Sequence, residues 1–146
     1  DAGYGFISNL GNLKSKTKSG KSAITLPNQS NVIRVVLVDE IENQFIAVAT
    51  NRGRLLIFPI SELPVLSKGK GNKLIQIPSK DLKTRKELIT GLCALRETQK
   101  LRVYYGKRKT LYKPEDWIHF IGHRVRRGKE LRPGYVTNIL FIEAED

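Results

Sequence analysis

The sequence predicts an all-β fold of propeller-like repeats, on three observations. Short apolar, β-branched runs recur along its 146 residues, and Gly and Pro punctuate them. One pattern of strand, basic turn, strand and basic Gly-bearing loop also returns about every 40–50 residues, the length of a propeller blade.

The elements follow in chain order. Residues 31–38, Asn-Val-Ile-Arg-Val-Val-Leu-Val, are rich in β-branched side chains and predict a strand. Two more are expected at 45–50 and 55–58, joined by Asn51-Arg52-Gly53, where Gly53 supplies the positive φ of a hairpin turn. Further strands are expected at 73–77, 88–95, 101–105 and 138–142. Residues 81–95 also carry Leu82, Leu88, Ile89, Leu92 and Leu95 at helical spacing, but the apolar support fails between Lys83 and Glu87, so a loop and then a strand is predicted. The one helix signal lies at Lys113-Pro114-Glu115-Asp116-Trp117-Ile118. Pro and two acids stand where a first turn wants them, which predicts one to two turns.

The repeat is read by laying residues 45–64 over residues 101–117. Both run strand, basic turn, strand and a Pro-bearing acidic turn, and each leads into a basic Gly segment, at 67–73 and 123–129. Tyr4-Gly5-Phe6-Ile7, Gly11-Asn12 and the Lys-rich stretch to Lys21 make a looser third copy. A single domain over 1–146 with approximate units 1–40, 41–97 and 98–146 is therefore expected. About three blades do not close a ring, so they read as part of a larger, open or longer array. The start at Asp1 without an initiator Met fits a segment of a longer chain.

Charge points to the ligand. Lys and Arg number 26 against 14 Asp and Glu, a formal net charge of +12. That balance predicts a polyanionic partner, nucleic acid before an acidic membrane surface. No run approaches the ~18 apolar residues of a membrane span, and no apolar segment opens the chain, so neither a membrane partner nor secretion is expected. Hydrophobic residues at 40% and charged residues at 27% indicate a folded chain, not a disordered basic tail. The lone Cys93, inside Leu92-Cys93-Ala94-Leu95, excludes an internal disulfide and reads as a small core residue.

These residues resemble a known family, the C-terminal domains of bacterial type IIA topoisomerase A subunits. The likeness covers nearly the whole chain. It is most specific at 50–78, which holds Asn51-Arg52-Gly53-Arg54 and Ser67-Lys68-Gly69-Lys70-Gly71-Asn72-Lys73, and at 101–129, which holds Gly106-Lys107-Arg108-Lys109 and Gly122-His123-Arg124-Val125-Arg126-Arg127-Gly128-Lys129. The gyrase branch carries a Gln-Arg-Arg-Gly-Gly-Lys-Gly box, normally in a first blade. No such box stands here, which places the likeness on the topoisomerase IV side. The resemblance implies a β-pinwheel, a propeller-like array whose blades exchange strands, and duplex DNA along a basic rim. It further implies an ATP- and Mg-dependent parent enzyme that relaxes and decatenates DNA in a cytoplasmic, nucleoid-associated setting in a bacterium. The implied protein partners are the rest of the A subunit, the ATPase subunit, with a condensin as a further one. None of Tyr4, Tyr104, Tyr105, Tyr112 and Tyr135 follows an Arg as the cleaving tyrosine of that family does, so a binding module without catalytic residues or a cofactor of its own is expected.

A module that reads the DNA backbone needs cations at loop tips and Gly where main chain approaches phosphate. The candidate contacts are Lys14, Lys16, Lys18, Lys21, Arg52, Arg54, Lys68, Lys70, Lys73, Lys107, Arg108, Lys109, Arg124, Arg126, Arg127 and Lys129. Ser19-Gly20-Lys21-Ser22 has the look of a nucleotide-binding loop, but Ser15 stands where its first Gly is required. His119 and His123 have helical metal-ligand spacing but no third ligand. Tyr112, Trp117 and Phe120 read as blade core before base-stacking platforms, since a duplex offers no splayed bases. Two rival readings stay open. One is a protein-docking module using Asp39-Glu40 with Glu42, or Trp117 to Phe120; the other is the C-terminal blades of a gyrase A subunit.

Overall fold

A computed structural model describes residues 1–13, 15, 20, 22–39, 41–132 and 138–146. The strands are β1 (Tyr4–Gly5), β2 (Gln44–Thr50), β3 (Arg54–Pro59), β4 (Asn72–Lys73), β5 (Ile89–Arg96), β6 (Lys100–Tyr105), β7 (Arg108–Tyr112), β8 (Lys129–Glu130) and β9 (Ile139–Glu145). Helical structure among the described residues is limited to α1 (Ser79–Lys83), α2 (Pro114–Trp117) and short 3₁₀ turns. The architecture is therefore the all-β, propeller-like one that the strand-and-turn pattern predicts.

Among the described residues three sheets form, in the orders β1-β4, β5-β2-β3-β8 and β7-β6-β9. All of these pairings are antiparallel. The hairpin β2–β3 turns at Asn51-Arg52-Gly53, and Gly53 has the required positive φ of 79°. One rule recurs: a later strand folds back onto the first strand of a hairpin. β5 pairs with β2 in this way, and β9 pairs with β6. β8 pairs with the edge of β3, so the central sheet takes in a strand that follows β6 and β7 in the chain.

The central sheet is buried on both faces, because β2 and β3 send alternate side chains to two cores. Ala47, Ala49, Leu55 and Ile57 join Cys93, Leu101, Val103, Trp117 and Ile142 on one side. Ile46, Val48, Leu56 and Phe58 join Ile60, Leu74, Ile75 and Ile77 on the other. A register shift at Ala49/Thr50 lets Ile89 change faces and enter the second core. Trp117 is 3% exposed, donates its indole N–H to the Gln99 carbonyl at 2.9 Å, and meets Phe45 edge to face at 5.8 Å. Tyr112 and Phe120 pack against the same core, as the sequence predicts. Cys93 is buried there, and burial pushes its thiol up to about 12.

Three expectations need correction. Residues 31–38 form no strand; Val35 and Leu37 are each 78% exposed, while Val38 packs on the second core. Strand propensity is not enough without an edge to pair with: β5 occupies the free side of β2, and no described ladder lies beside residues 31–38. The strand expected at 73–77 is only the pair Asn72–Lys73, although Leu74, Ile75 and Ile77 are buried as predicted. The loop expected before β5 contains the helical turn α1, which begins after Pro78. The turn α2 stands where predicted, with the Asp116 carboxylate accepting the Lys113 N–H at 3.2 Å, and it runs on into a 3₁₀ turn at Ile118–Phe120.

Candidate nucleic-acid interface

The end of the first basic Gly segment and the residues just after it lie against the second, far away in sequence. The Val125 N–H donates to the Leu74 carbonyl at 2.9 Å, and the Gln76 N–H donates to the Arg126 carbonyl at 3.0 Å. The segment after β4 and the loop before β8 therefore run side by side in the same direction. Val125, between these bonds, takes a φ of +76°, a left-handed conformation that a β-branched residue rarely adopts.

Glycines at two points let these segments press against other parts of the fold. A Cβ on Gly71 would stand 2.2 Å from the Gly5 carbonyl oxygen, and one on Gly128 would stand 2.7 Å from that of Leu55. Both residues have positive φ. These glycines serve close contacts between segments of the fold. Gly69 differs, with open space around its missing Cβ at a φ of +132°. Its N–H donates to the Ala23 carbonyl at 2.9 Å, and its own carbonyl accepts the Thr25 N–H at 2.8 Å.

The candidate cations divide into an outward and an inward set. Arg52, Lys68, Lys70, Lys107, Arg108, Lys109, Arg126 and Lys129 are exposed, and Lys73 is half-buried in β4. Lys107, Arg108 and Lys109 crowd the tip of the β6–β7 hairpin. The Lys70 ammonium sits 4.5 Å from the centre of the Tyr4 ring, a cation–π contact that steadies it without neutralising it. Lys129 donates from Nζ to the His119 carbonyl at 3.0 Å and keeps its charge unpaired by any described acid.

Three arginines face inward. Arg127 holds Glu87 with both arms of its fork, at 2.8 and 2.6 Å. Glu87 is fully buried and also accepts the Thr50 hydroxyl at 2.9 Å. Removing one partner of a buried pair strands the other charge and costs about 3–5 kcal/mol. Arg124 donates to the Lys73 carbonyl at 2.7 Å, and its own N–H reaches the Glu62 carboxylate at 3.1 Å. Arg54 donates to the Gly128 carbonyl at 3.1 Å and lies 3.4 Å from the Glu130 carboxylate. The sequence offers no signal for these internal roles, because the partners lie tens of residues away.

Lys14, Lys16, Lys18 and Lys21 lie outside the described residues, and so do Ser19 and Glu40. His119 and His123 are exposed, and His123 Nδ1 lies 3.7 Å from Glu62. Asp39 is paired with Arg96. The buried Trp117 is out of a partner's reach, which corrects its place in the docking reading; Ile118 and His119 beside it stay exposed.

A family model described as DNA gyrase C-terminal domain, beta-propeller, matches residues 1–39 and 44–92. The chain belongs to that family. Among curated relatives it is 44% identical over 145 residues to the A subunit of DNA topoisomerase 4 from Haemophilus influenzae, covering 99% of this chain and 19% of the relative. It is 42% identical over 135 residues to the corresponding protein of Pseudomonas aeruginosa, covering 92% of this chain and 18% of the relative. The chain thus spans about a fifth of the length of the curated relatives it matches. Its fold superposes on the E. coli ParC C-terminal domain with a TM-score of 0.87 at 36% identity, over 100% of this chain and 58% of that one. A second solved structure, the C-terminal domain of DNA topoisomerase IV, gives a TM-score of 0.77 at 17% identity over 99% of this chain and 44% of that one, a likeness of fold alone. The topoisomerase IV side of the family, expected from the missing gyrase box, is the side these relatives occupy.

Proposed function

We propose that this chain is a duplex-binding, duplex-bending module of a type IIA DNA topoisomerase, the topoisomerase IV A subunit. It contacts phosphates through exposed basic loops and helps the enzyme select DNA crossings for relaxation and decatenation. The observation that carries this reading is that the chain leaving the first basic Gly loop runs beside the second, through the bonds from Val125 to Leu74, from Gln76 to Arg126 and from Arg124 to the Lys73 carbonyl. The two loops carry five cations, Lys68, Lys70, Lys73, Arg126 and Lys129, none within salt-bridge distance of a described acid. A row of fixed charges suits the regular spacing of phosphates, and following it around a curved domain bends the duplex.

Cleavage, ATP and Mg belong in this reading to other parts of the enzyme. The proposed protein partners are the ATPase subunit with the rest of the A subunit, in the bacterial cytoplasm. A second reading, docking of a protein such as a condensin, is favoured by the exposed apolar Val35 and Leu37.

Titration of supercoiled, linear and single-stranded DNA at two salt concentrations tests the proposal. Duplex affinity should fall steeply with salt and depend little on sequence. Weak binding to all three forms with no salt slope would sink the DNA reading. Unchanged affinity after combined Lys68→Glu, Lys70→Glu and Lys73→Glu would sink the assignment of these loops.

A further inference from the structure

The cations of the two basic loops differ in what each could give to a phosphate. Arg127 could give little. Its fork is spent on Glu87, and Gln76 offers a carbonyl 3.3 Å from one arm. Glu87 has no exposure to water, whereas Arg127 retains about a third of its side-chain surface. Turning Arg127 outward to a phosphate would leave the Glu87 carboxylate with the Thr50 hydroxyl as its one remaining side-chain hydrogen bond among the described residues, and Arg52 and Arg54, which line the same cavity, would have to move to replace the fork, a loss that one solvated phosphate contact does not offset.

Glu87 sits just before β5, and Thr50 ends β2, so both belong to the central sheet or its margin. Arg127 belongs to the loop that carries Arg126 and Lys129. The pair therefore bolts that basic loop onto the central sheet. Next to it, Arg124 grips the Lys73 carbonyl and brings the loop against the neighbouring basic segment.

We infer that Arg127, acting through Glu87, is a positioning residue that holds the Arg124–Lys129 loop in register with the Lys68–Gln76 segment and itself touches no phosphate. A duplex then meets one preset strip instead of two independent loops, and the path of the DNA depends on that register. This rests on the DNA-binding reading above.

The test uses the full chain and separates charge from geometry. Arg126→Ala is the phosphate-contact control. Arg127→Lys keeps the charge but loses the fork. Glu87→Met with Arg127→Met replaces the pair by apolar side chains that can fill the same space. For each, the slope of log affinity against log salt is measured on a linear duplex, with the duplex bend read by energy transfer between end labels and folding checked by thermal melting.

The expected result for Arg126→Ala is a slope reduced by about 0.9, as one phosphate is no longer neutralised. The Arg127→Lys and paired Met variants should keep the wild-type slope and show a smaller bend. A slope reduced by about 0.9 in the paired Met variant would make Arg127 a phosphate ligand and overturn the inference. Unchanged slope and unchanged bend in Arg127→Lys would overturn it too, and this variant decides the matter if the double variant does not fold. A wild-type chain without any salt slope would instead bring down the DNA reading itself.

Discussion

Gly71 lies directly against the backbone of Gly5: a β-carbon on Gly71 would stand 2.2 Å from the Gly5 carbonyl oxygen. The contact joins the end of the first basic Gly loop to β1, whose register pairs Gly5 with Asn72. Gly71→Ala must therefore push two backbones apart and also hold Ala at a φ of +80°. We expect it to destabilise the fold by about 2–4 kcal/mol. Gly69→Ala, with no atom within 4 Å of the new Cβ, should cost less, the strain of its φ alone. Thermal melts of the two variants side by side check this, and equal losses would refute the packing role of Gly71.

These glycines also show where the sequence stops being readable. The hairpin at Asn51-Arg52-Gly53 is legible because the need for positive φ is local. The strands β2, β3, β5, β6 and β9 are legible because their apolar runs are dense. The chemistry of Ser67 to Lys73 is legible only in part. Gly beside Lys suggests phosphate approach, but whether Gly71 faces a phosphate or Gly5 depends on a contact across most of half the chain. Arg127 shows the same limit. In the row Arg124-Val125-Arg126-Arg127 nothing distinguishes Arg124 and Arg127, which turn inward, from Arg126, which does not, and the Glu87 partner of Arg127 sits in a charged stretch that reads as a loop. Residues 31–38 fail the other way, since propensity is local but a ladder partner is not.

The edge pair β6–β9 carries a charge-based prediction. Arg102 grips Glu145 across the strands at 2.5 and 2.9 Å. The hydrogen bonds from Arg102, with its positive charge, hold the Glu145 carboxyl below its ordinary value of 4.5. A lowered carboxylate pKa contributes stability that is fully present above the unfolded value and disappears as pH falls through the folded one. The melting temperature of wild type should therefore exceed that of Glu145→Gln at neutral pH, and the difference should shrink as pH is lowered from about 4.5. Both partners remain partly solvated, so the gap should also narrow in high salt. A gap that stays constant from neutral pH to well below the folded pKa would show that this pair does not titrate with folding.

The segment at 31–38 makes the sharpest contrast with the core of the sheet. Ala47 and Val48 in β2 lie between β3 and β5, laddered on both sides. Among the described residues, no backbone hydrogen bond ties residues 32–38, and the Arg34 side chain reaches the carbonyls of Leu92 and Ile142 at 3.4 and 3.5 Å. Local opening free energy follows this difference in hydrogen bonding and burial. In hydrogen exchange on this chain, the amides from Val32 to Val38 should exchange close to the rate of an unstructured peptide. Those of Ala47 and Val48 should wait for global unfolding, and a mild denaturant should accelerate only this second group. Strong protection at Val35 and Leu37 would mean that a partner strand covers them, and would assign the segment to a sheet edge after all.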